Sequence, residues 1–283
     1  HLCWRAISRS LLLMLSSILL SMPVLFPANA SAQFGDPFEL SQDSNKNVLT
    51  AGLTLLEYRH PNTLSDVPYR FDSSLYTLRL SSGNQAGLTL RYGTDEIDYG
   101  SGNMADVRVI GVAAEMGGRK ALYRGVGESE SLIYIPIRVF ADYLNMSNEL
   151  NAAAREAAFD SVVLNQLMLT GGLGLGFRYR TPRSSLLSNR FMIDVYATRS
   201  LGTNMQINDD IFYGAARQDN IKAELTFLDI FSGFSMVMGY EFRNTVFRQE
   251  EFHSFVSMIS ESDGYDSEYF SHTITLGFRL SRR

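Results

Sequence analysis

The residues best suited to chemistry fall into two groups. The first holds the three histidines beyond residue 32, His60, His253 and His272, together with Ser254, Ser257, Asp209, Asp210, Asp266 and Glu268. A serine, a histidine and a carboxylate can supply a nucleophile, its general base and the group that orients the base. His253 and His272 are the candidate bases for such an arrangement. The chain contains no Gly-x-Ser-x-Gly elbow and no His-Glu-x-x-His zinc motif. Acidic stretches at Asn208-Asp209-Asp210 and at Glu261-Ser262-Asp263-Gly264-Tyr265-Asp266 offer oxygen donors for calcium, without the full EF-hand spacing. The plainer reading of both is a solvated acidic loop. Nothing in the chain marks a cofactor.

The second group is larger and more regular. Arg79, Arg91, Arg108, Arg138, Arg178, Arg180, Arg243 and Arg279, with Asp194, Lys222, Glu224 and Glu241, sit at positions that alternate with apolar residues. Two chemistries are open to such a set. Arginines and carboxylates can neutralise one another in a closed network, as buried charges require. Alternatively, an excess of guanidinium groups can line a passage that prefers anions.

The alternation defines the elements that carry these residues. In Leu88 to Tyr92, Leu88, Leu90 and Tyr92 share one face and Thr89 and Arg91 the other. In 173–180, Leu173, Leu175, Phe177 and Tyr179 oppose Gly174, Gly176, Arg178 and Arg180. In 220–227, Ile221, Ala223, Leu225 and Phe227 oppose Lys222, Glu224 and Thr226. A period of two places alternate residues on opposite faces of a sheet. The pattern predicts ten strands, at about 48–59, 72–81, 86–95, 107–116, 131–145, 163–180, 189–201, 220–230, 233–247 and 268–281, and eight or twelve also remain compatible with it. Long connections are expected at about 60–71, 96–106, 146–162, 202–219 and 248–267. The stretch 117–130 is too long for the short turn that belongs there. Asn148 to Phe159 is rich in Ala and Glu and predicts a short helix within one loop. Tyr58, Tyr92, Tyr143, Tyr179, Tyr240, Phe242 and Phe270 fall near strand ends, as membrane-interface aromatics do.

Residues 1–32 read as a signal peptide. Arg5 and Arg9 give a positive start, Leu11 to Leu20 an apolar core, and Ala30-Ser31-Ala32 a small-residue cleavage site. Residues 33–47 then form a periplasmic N-terminal segment and 48–283 the main domain. The single Cys (Cys3) lies within the signal, so thiolate chemistry and disulfides are not expected beyond it. The 25 Lys and Arg, less Arg5 and Arg9, leave 23 against 30 Asp and Glu, a net charge of −7 that argues against nucleic-acid binding.

Strands with one apolar and one charged face suit a barrel with lipid outside and polar groups inside. Over about residues 48–281 the pattern resembles the small, single-chain outer-membrane β-barrel proteins of Gram-negative-type bacteria. The last strand, with Ile274, Leu276, Phe278 and Leu280 at alternate positions, resembles the C-terminal signal read by the barrel assembly machinery. It departs from the commonest form by ending in Ser281-Arg282-Arg283. The resemblance implies an all-β, up-and-down antiparallel barrel in the outer membrane, contacting lipid and lipopolysaccharide. It also implies short periplasmic turns and long extracellular loops that could meet a protein partner. The expected role is non-enzymatic: a barrel with a largely plugged lumen, acting as a structural or surface-interaction protein. An anion-preferring pore and a rim-located hydrolase using His253 or His272 are the alternatives.

Overall fold

A computed structural model describes residues 47–60, 69–82, 86–98, 104–125, 129–148, 164–181, 190–207, 211–231, 234–248 and 267–280. These residues form ten strands: β1 (Asn47–His60), β2 (Tyr69–Ser82), β3 (Ala86–Asp98), β4 (Met104–Gly125), β5 (Glu130–Asn148), β6 (Leu164–Arg180), β7 (Arg190–Ile207), β8 (Ile211–Phe231), β9 (Phe234–Arg248) and β10 (Ser267–Leu280). Each strand pairs antiparallel with its sequence neighbour, and β1 pairs with β10, so the sheet closes. Closure leaves every backbone donor and acceptor in the paired stretches satisfied without water, which is what a lipid environment demands.

Side-chain alternation divides the wall into two surfaces. On β2, Tyr76, Leu78 and Leu80 are exposed, while Leu75, Thr77 and Arg79 are buried. On β10, Ile274, Leu276 and Phe278 are exposed, while Thr273 and Arg279 are buried. Burying polar residues and exposing large apolar ones inverts the usual soluble pattern and produces an outer surface suited to lipid.

Asn47 and Leu280 are partners in the ladder, so both ends of the barrel chain lie at one rim, here called the terminal rim. The other is the distal rim. The strands at these rims depart from the expected ones. β4 continues to Gly125, with a bulge between Ala121 and Tyr123, so the anomalous stretch 117–130 is mostly strand. β7 and β8 pair as far as Ile207 and Ile211, which removes the long loop expected over 202–219. Beyond the apolar band nothing enforces lipid-facing alternation, so the sequence pattern fades before the strand ends. The expected helix from Asn148 lies outside the described residues apart from Asn148 itself, which closes β5.

Candidate functional site in the barrel lumen

The inner wall carries two kinds of residue, stacked along the barrel axis. Toward the terminal rim lies a cluster on Asp194, on β7. Arg178 on β6 donates to its Oδ2 from Nη2 at 2.5 Å and from Nε at 3.0 Å. Arg119 on β4 approaches the same oxygen at 3.4 Å, and the Tyr134 hydroxyl donates to Oδ1 at 2.5 Å. The Tyr134 ring lies against Gly176, where a Cβ would strike the ring, and the Arg119 guanidinium stands over the ring, 5.1 Å from its centroid. Glycine at 176 is therefore what lets Tyr134 reach Asp194. Closer to the rim, Arg279 meets Glu224 at 3.5 Å and Arg180 meets Glu130 at 3.6 Å.

A second network fills the middle. Glu115 on β4 accepts from Arg79 on β2 and lies 3.9 Å from Lys222 on β8. Arg79 also donates to Glu241 on β9 at 3.0 Å. Glu241 further accepts from Arg243 at 2.5 Å and from Asn220 at 3.1 Å. Arg243 then donates to Asp142 on β5 at 2.6 Å, with Arg91 at 3.5 Å from that carboxylate. The Arg138 guanidinium sits 5.2 Å over the Tyr196 ring and that of Arg243 5.4 Å over Phe140. β5 and β9 are four strands apart in the barrel order, as are β4 and β8. The Arg243–Asp142 and Lys222–Glu115 pairs therefore cross the lumen rather than run along the wall.

Above this network, toward the distal rim, an apolar cluster forms on the inner wall among the buried polar residues Ser73, Gln166 and Asn204. Leu56, Tyr58, Leu75, Val107, Val109, Leu144, Met146, Met168, Ala216, Phe247 and Tyr269 form one buried cluster. They come from the distal ends of seven strands, β1, β2, β4, β5, β6, β9 and β10, and from the distal part of β8. Tyr269 joins the layers, because its hydroxyl reaches Asp142 at 3.4 Å.

Among the described residues, eight basic side chains (Arg79, Arg91, Arg119, Arg138, Arg178, Lys222, Arg243, Arg279) share the buried lumen with five carboxylates (Glu115, Asp142, Asp194, Glu224, Glu241). Of the residues named from the sequence, Arg79, Arg91, Arg138, Arg178, Asp194, Lys222, Glu241, Arg243 and Arg279 are buried, and the half-buried Arg180 and Glu224 share the inner parity of Arg178 and Lys222. Sequence reasoning missed Glu115, Arg119 and Asp142. The parity of Arg138 places Phe140 and Asp142 on its own face, so the signal for Asp142 was present. Arg108 departs from expectation: Val107 and Val109 are the buried neighbours, and Arg108 stands on the outer face with Ile110. The inner apolar cap is the reason, since it makes Val107 and Val109 resemble lipid-facing residues. Tyr58 likewise points inward, into the cap, and not toward an interface belt.

His272 lies on the outer wall, on the face of Ile274 and Leu276. Its Nδ1 is 3.0 Å from the Tyr240 hydroxyl, and its ring packs 5.0 Å from that of Phe242. This is an aromatic patch on the lipid side of the wall. His253, Ser254, Ser257, Asp209, Asp210, Asp266 and both acidic stretches lie outside the described residues, and Glu268 is half-buried on β10. Among the described residues, no cluster of His, Cys, Asp or Glu is arranged to hold a metal ion.

A closed ten-stranded sheet, apolar outside and crossed inside by ion pairs, is the architecture of bacterial outer-membrane β-barrel proteins. No protein-family model matches the chain, and no curated protein sequence does. Solved structures do show similarity. Outer membrane protease OmpT from Escherichia coli has 8% identity and a TM-score of 0.42, covering 86% of this chain and 98% of that one. The translocator domain of autotransporter NalP from Neisseria meningitidis has 10% identity and a TM-score of 0.33, covering 94% and 97%. Ail, the attachment invasion locus protein of Yersinia pestis, has 11% identity and a TM-score of 0.27, covering 84% and 99%. At these identities and scores none of them bears on what this chain does, and the barrel stands on its own strand register.

Proposed function

We propose that this chain is a non-conducting outer-membrane barrel, a rigid scaffold whose role is structural or exercised through the connections at its distal rim. The observation that carries this reading is the pair Arg243–Asp142, buried at 3% exposure on each side and spanning strands on opposite walls. A ten-stranded barrel is little wider than one whose interior is just filled by side chains. Here long side chains meet across the remaining space. The apolar cluster above adds a second seal, since a constriction lined by apolar groups excludes water and ions. In this reading the apolar outer wall contacts outer-membrane lipid and lipopolysaccharide, the terminal rim faces the periplasm, and the barrel assembly machinery inserts the chain.

One observation favours a second reading, an anion-preferring passage. Eight basic groups against five carboxylates leave the lumen positively biased, and such a lumen would select anions if it opened. Planar-bilayer recording of the protein beginning at Gln33 separates the two. Inserted protein, verified by its heat-dependent gel shift, is expected to give a silent bilayer. Stable discrete conductance steps with anion preference would overturn the closed scaffold and establish the passage.

A further inference from the structure

The middle of the lumen holds more positive than negative charge. Among the described residues the network there joins five buried cations, Arg79, Arg91, Arg138, Lys222 and Arg243, to three buried carboxylates, Glu115, Asp142 and Glu241. Two positive charges are left over in a space where an uncompensated ion is costly. The Arg138 guanidinium and the Lys222 ammonium both lie over the Tyr196 ring, 5.2 and 5.9 Å from its centroid. A ring attracts cations through its quadrupole but supplies no counter-charge. Lys222 reaches Glu115 only at 3.9 Å, beyond hydrogen-bond distance, and Glu115 also accepts from Arg79.

The wall beside these two cations leaves room and offers hydroxyls. On β6 the inner positions 172, 174 and 176 are all glycine, so this stretch projects no side chain into the lumen. A Cβ at Gly172 or Gly174 would strike the β7 backbone, at Arg199 or Ala197, so no larger residue fits there. Opposite the three glycines, on β7, stand Ser200, Thr198 and Tyr196, and opposite Tyr196, on β8, stands Lys222. Arg138 pairs with Gly172 from the β5 side, and its guanidinium reaches past the glycines to Tyr196. The hydroxyls of Thr170, Tyr196, Thr198 and Ser200 have no hydrogen-bond partner, although each of these residues is at most 5% exposed. Buried polar groups are ordinarily hydrogen-bonded. Four such hydroxyls beside surplus positive charge suit a ligand that accepts hydrogen bonds and is itself negative.

We propose that this recess binds one small inorganic anion between the Lys222 ammonium, the Arg138 guanidinium and the hydroxyls of Tyr196 and Thr198. The anion brings the network closer to neutrality and gives the rotatable hydroxyls a charged acceptor. Thr170 and Ser200 extend the polar lining along β6 and β7. The site needs only the inner wall, so it stands whether or not the lumen conducts.

Equilibrium dialysis tests it. The protein beginning at Gln33 is folded in non-ionic detergent micelles, and its folding is verified by the heat-dependent gel shift. It is dialysed against labelled chloride in one arm and labelled sulfate in the other, with gluconate holding the ionic strength. Saturable binding of about one anion per barrel is expected, with a dissociation constant below about 1 mM. Binding of chloride alone would mark a compact site and binding of sulfate a roomier one, and either supports the proposal. Lys222→Met is expected to weaken binding at least about tenfold, as the loss of a charged hydrogen bond does. Thr198→Val removes one hydroxyl and leaves every charge in place, which guards against a Lys222 variant that fails to fold. It is expected to weaken binding about fivefold. No saturable binding of either anion to the folded parent would overturn the proposal and leave the hydroxyls to water. Binding that the folded variants keep unchanged would overturn it too, by placing the anion elsewhere. Conductance in planar bilayers would sink the closed scaffold and leave these binding results untouched.

Discussion

The lumen of this barrel is filled in two different ways. Its terminal and middle parts are filled by charges that meet in pairs, and its distal part by an apolar cluster with a few uncharged polar side chains such as Gln166 and Asn204. In the charged part, position matters more than volume. Glu241 accepts from Arg79, Arg243 and Asn220 at once, so each group is tolerable only because specific partners reach it from other strands. In the cap, Leu75, Val107 and Met168 need only occupy space against one another. Apolar filling of that kind tolerates exchange if volume is kept. The same barrel therefore holds a brittle region and a forgiving one. It also carries two seals of different origin, one electrostatic and one hydrophobic.

The sharpest way to break this contrast is to remove one member of a pair that crosses the lumen. Arg243→Ala leaves Asp142 and Glu241 buried with fewer cations, which is expected to cost about 4 kcal/mol. Urea unfolding of the protein in lipid vesicles measures the loss. Arg243→Ala combined with Asp142→Ala is expected to recover part of it, because no carboxylate is then left facing the vacated site at β5. If the single variant is as stable as the parent, the network is not what fills the lumen.

A cavity in the cap is the matching experiment. Leu75 is fully buried, and Leu75→Ala is expected to cost about 3 kcal/mol from lost burial and the space left behind. Leu75→Met should be nearly neutral, which Arg243→Lys should not be, because a guanidinium that bridges two carboxylates has no substitute in a single ammonium. In planar bilayers Leu75→Ala is expected to stay silent, since Arg243–Asp142 still crosses beneath it. Conductance in that variant would show that the apolar cluster, not the ion pairs, closes the barrel.

How much of this was legible in the sequence follows from what lies outside each strand. Where lipid covers the wall, alternation is enforced, and the strands around Leu88–Tyr92, 173–180 and 271–280 read clearly. Near the rims that constraint lapses. Gly117-Gly118-Arg119-Lys120 continues β4 without a lipid-facing pattern, and 202–207 and 211–219 extend β7 and β8 in the same way. The inner charges were legible as a face. Their pairing was not, because Arg79 meets Glu241, and Arg243 meets Asp142, only once the sheet has closed. The cap was hidden for a different reason. Apolar residues on both faces, as at Leu55-Leu56 and at Val107, Val109 and Ile110, erase the contrast from which facing is read, and this placed Arg108 on the wrong side. The histidines illustrate the limit of residue type as a guide, since His272 proved to be part of an outer aromatic patch.

A smaller effect tests the rim end of the charged region. Gly176→Ala puts a methyl group into the Tyr134 ring, which must shift and release its hydroxyl from Asp194. Overpacking of this kind is expected to cost about 2 kcal/mol. The attribution is checked by a double-mutant cycle with Tyr134→Ala. If the clash is the cause, Gly176→Ala should cost little once the ring is gone, giving a coupling close to the whole effect. Additive effects would place the cost in the β5–β6 backbone, whose ladder already skips Ile135 and Pro136.

The smallest effect is expected where the lumen's chemistry recurs on the other side of the wall. Arg199, near the middle of β7, holds Asp219 of β8 through both carboxylate oxygens, at 2.7 and 3.1 Å. The pair is on the outer face, in a row with the exposed Leu173. A lone charge facing lipid at mid-depth costs about 2–4 kcal/mol, and bidentate pairing offsets much of that. Replacing both residues by leucine removes the bidentate pair and also withdraws the Asp219 carboxylate from Arg217, 3.6 Å away, so stability should change by no more than about 1 kcal/mol, with either sign allowed by the partial cancellation. Asp219→Leu alone should cost more than the double change, since it withdraws the bidentate partner and leaves the guanidinium in place. The contrast with Arg243 and Asp142 is then direct. In the lumen each charge is held by partners from other strands, and removing one leaves buried groups with fewer counter-charges. On the wall two charges displace lipid that would have sufficed, so a large destabilisation of the double leucine variant would mean that something other than lipid covers that face.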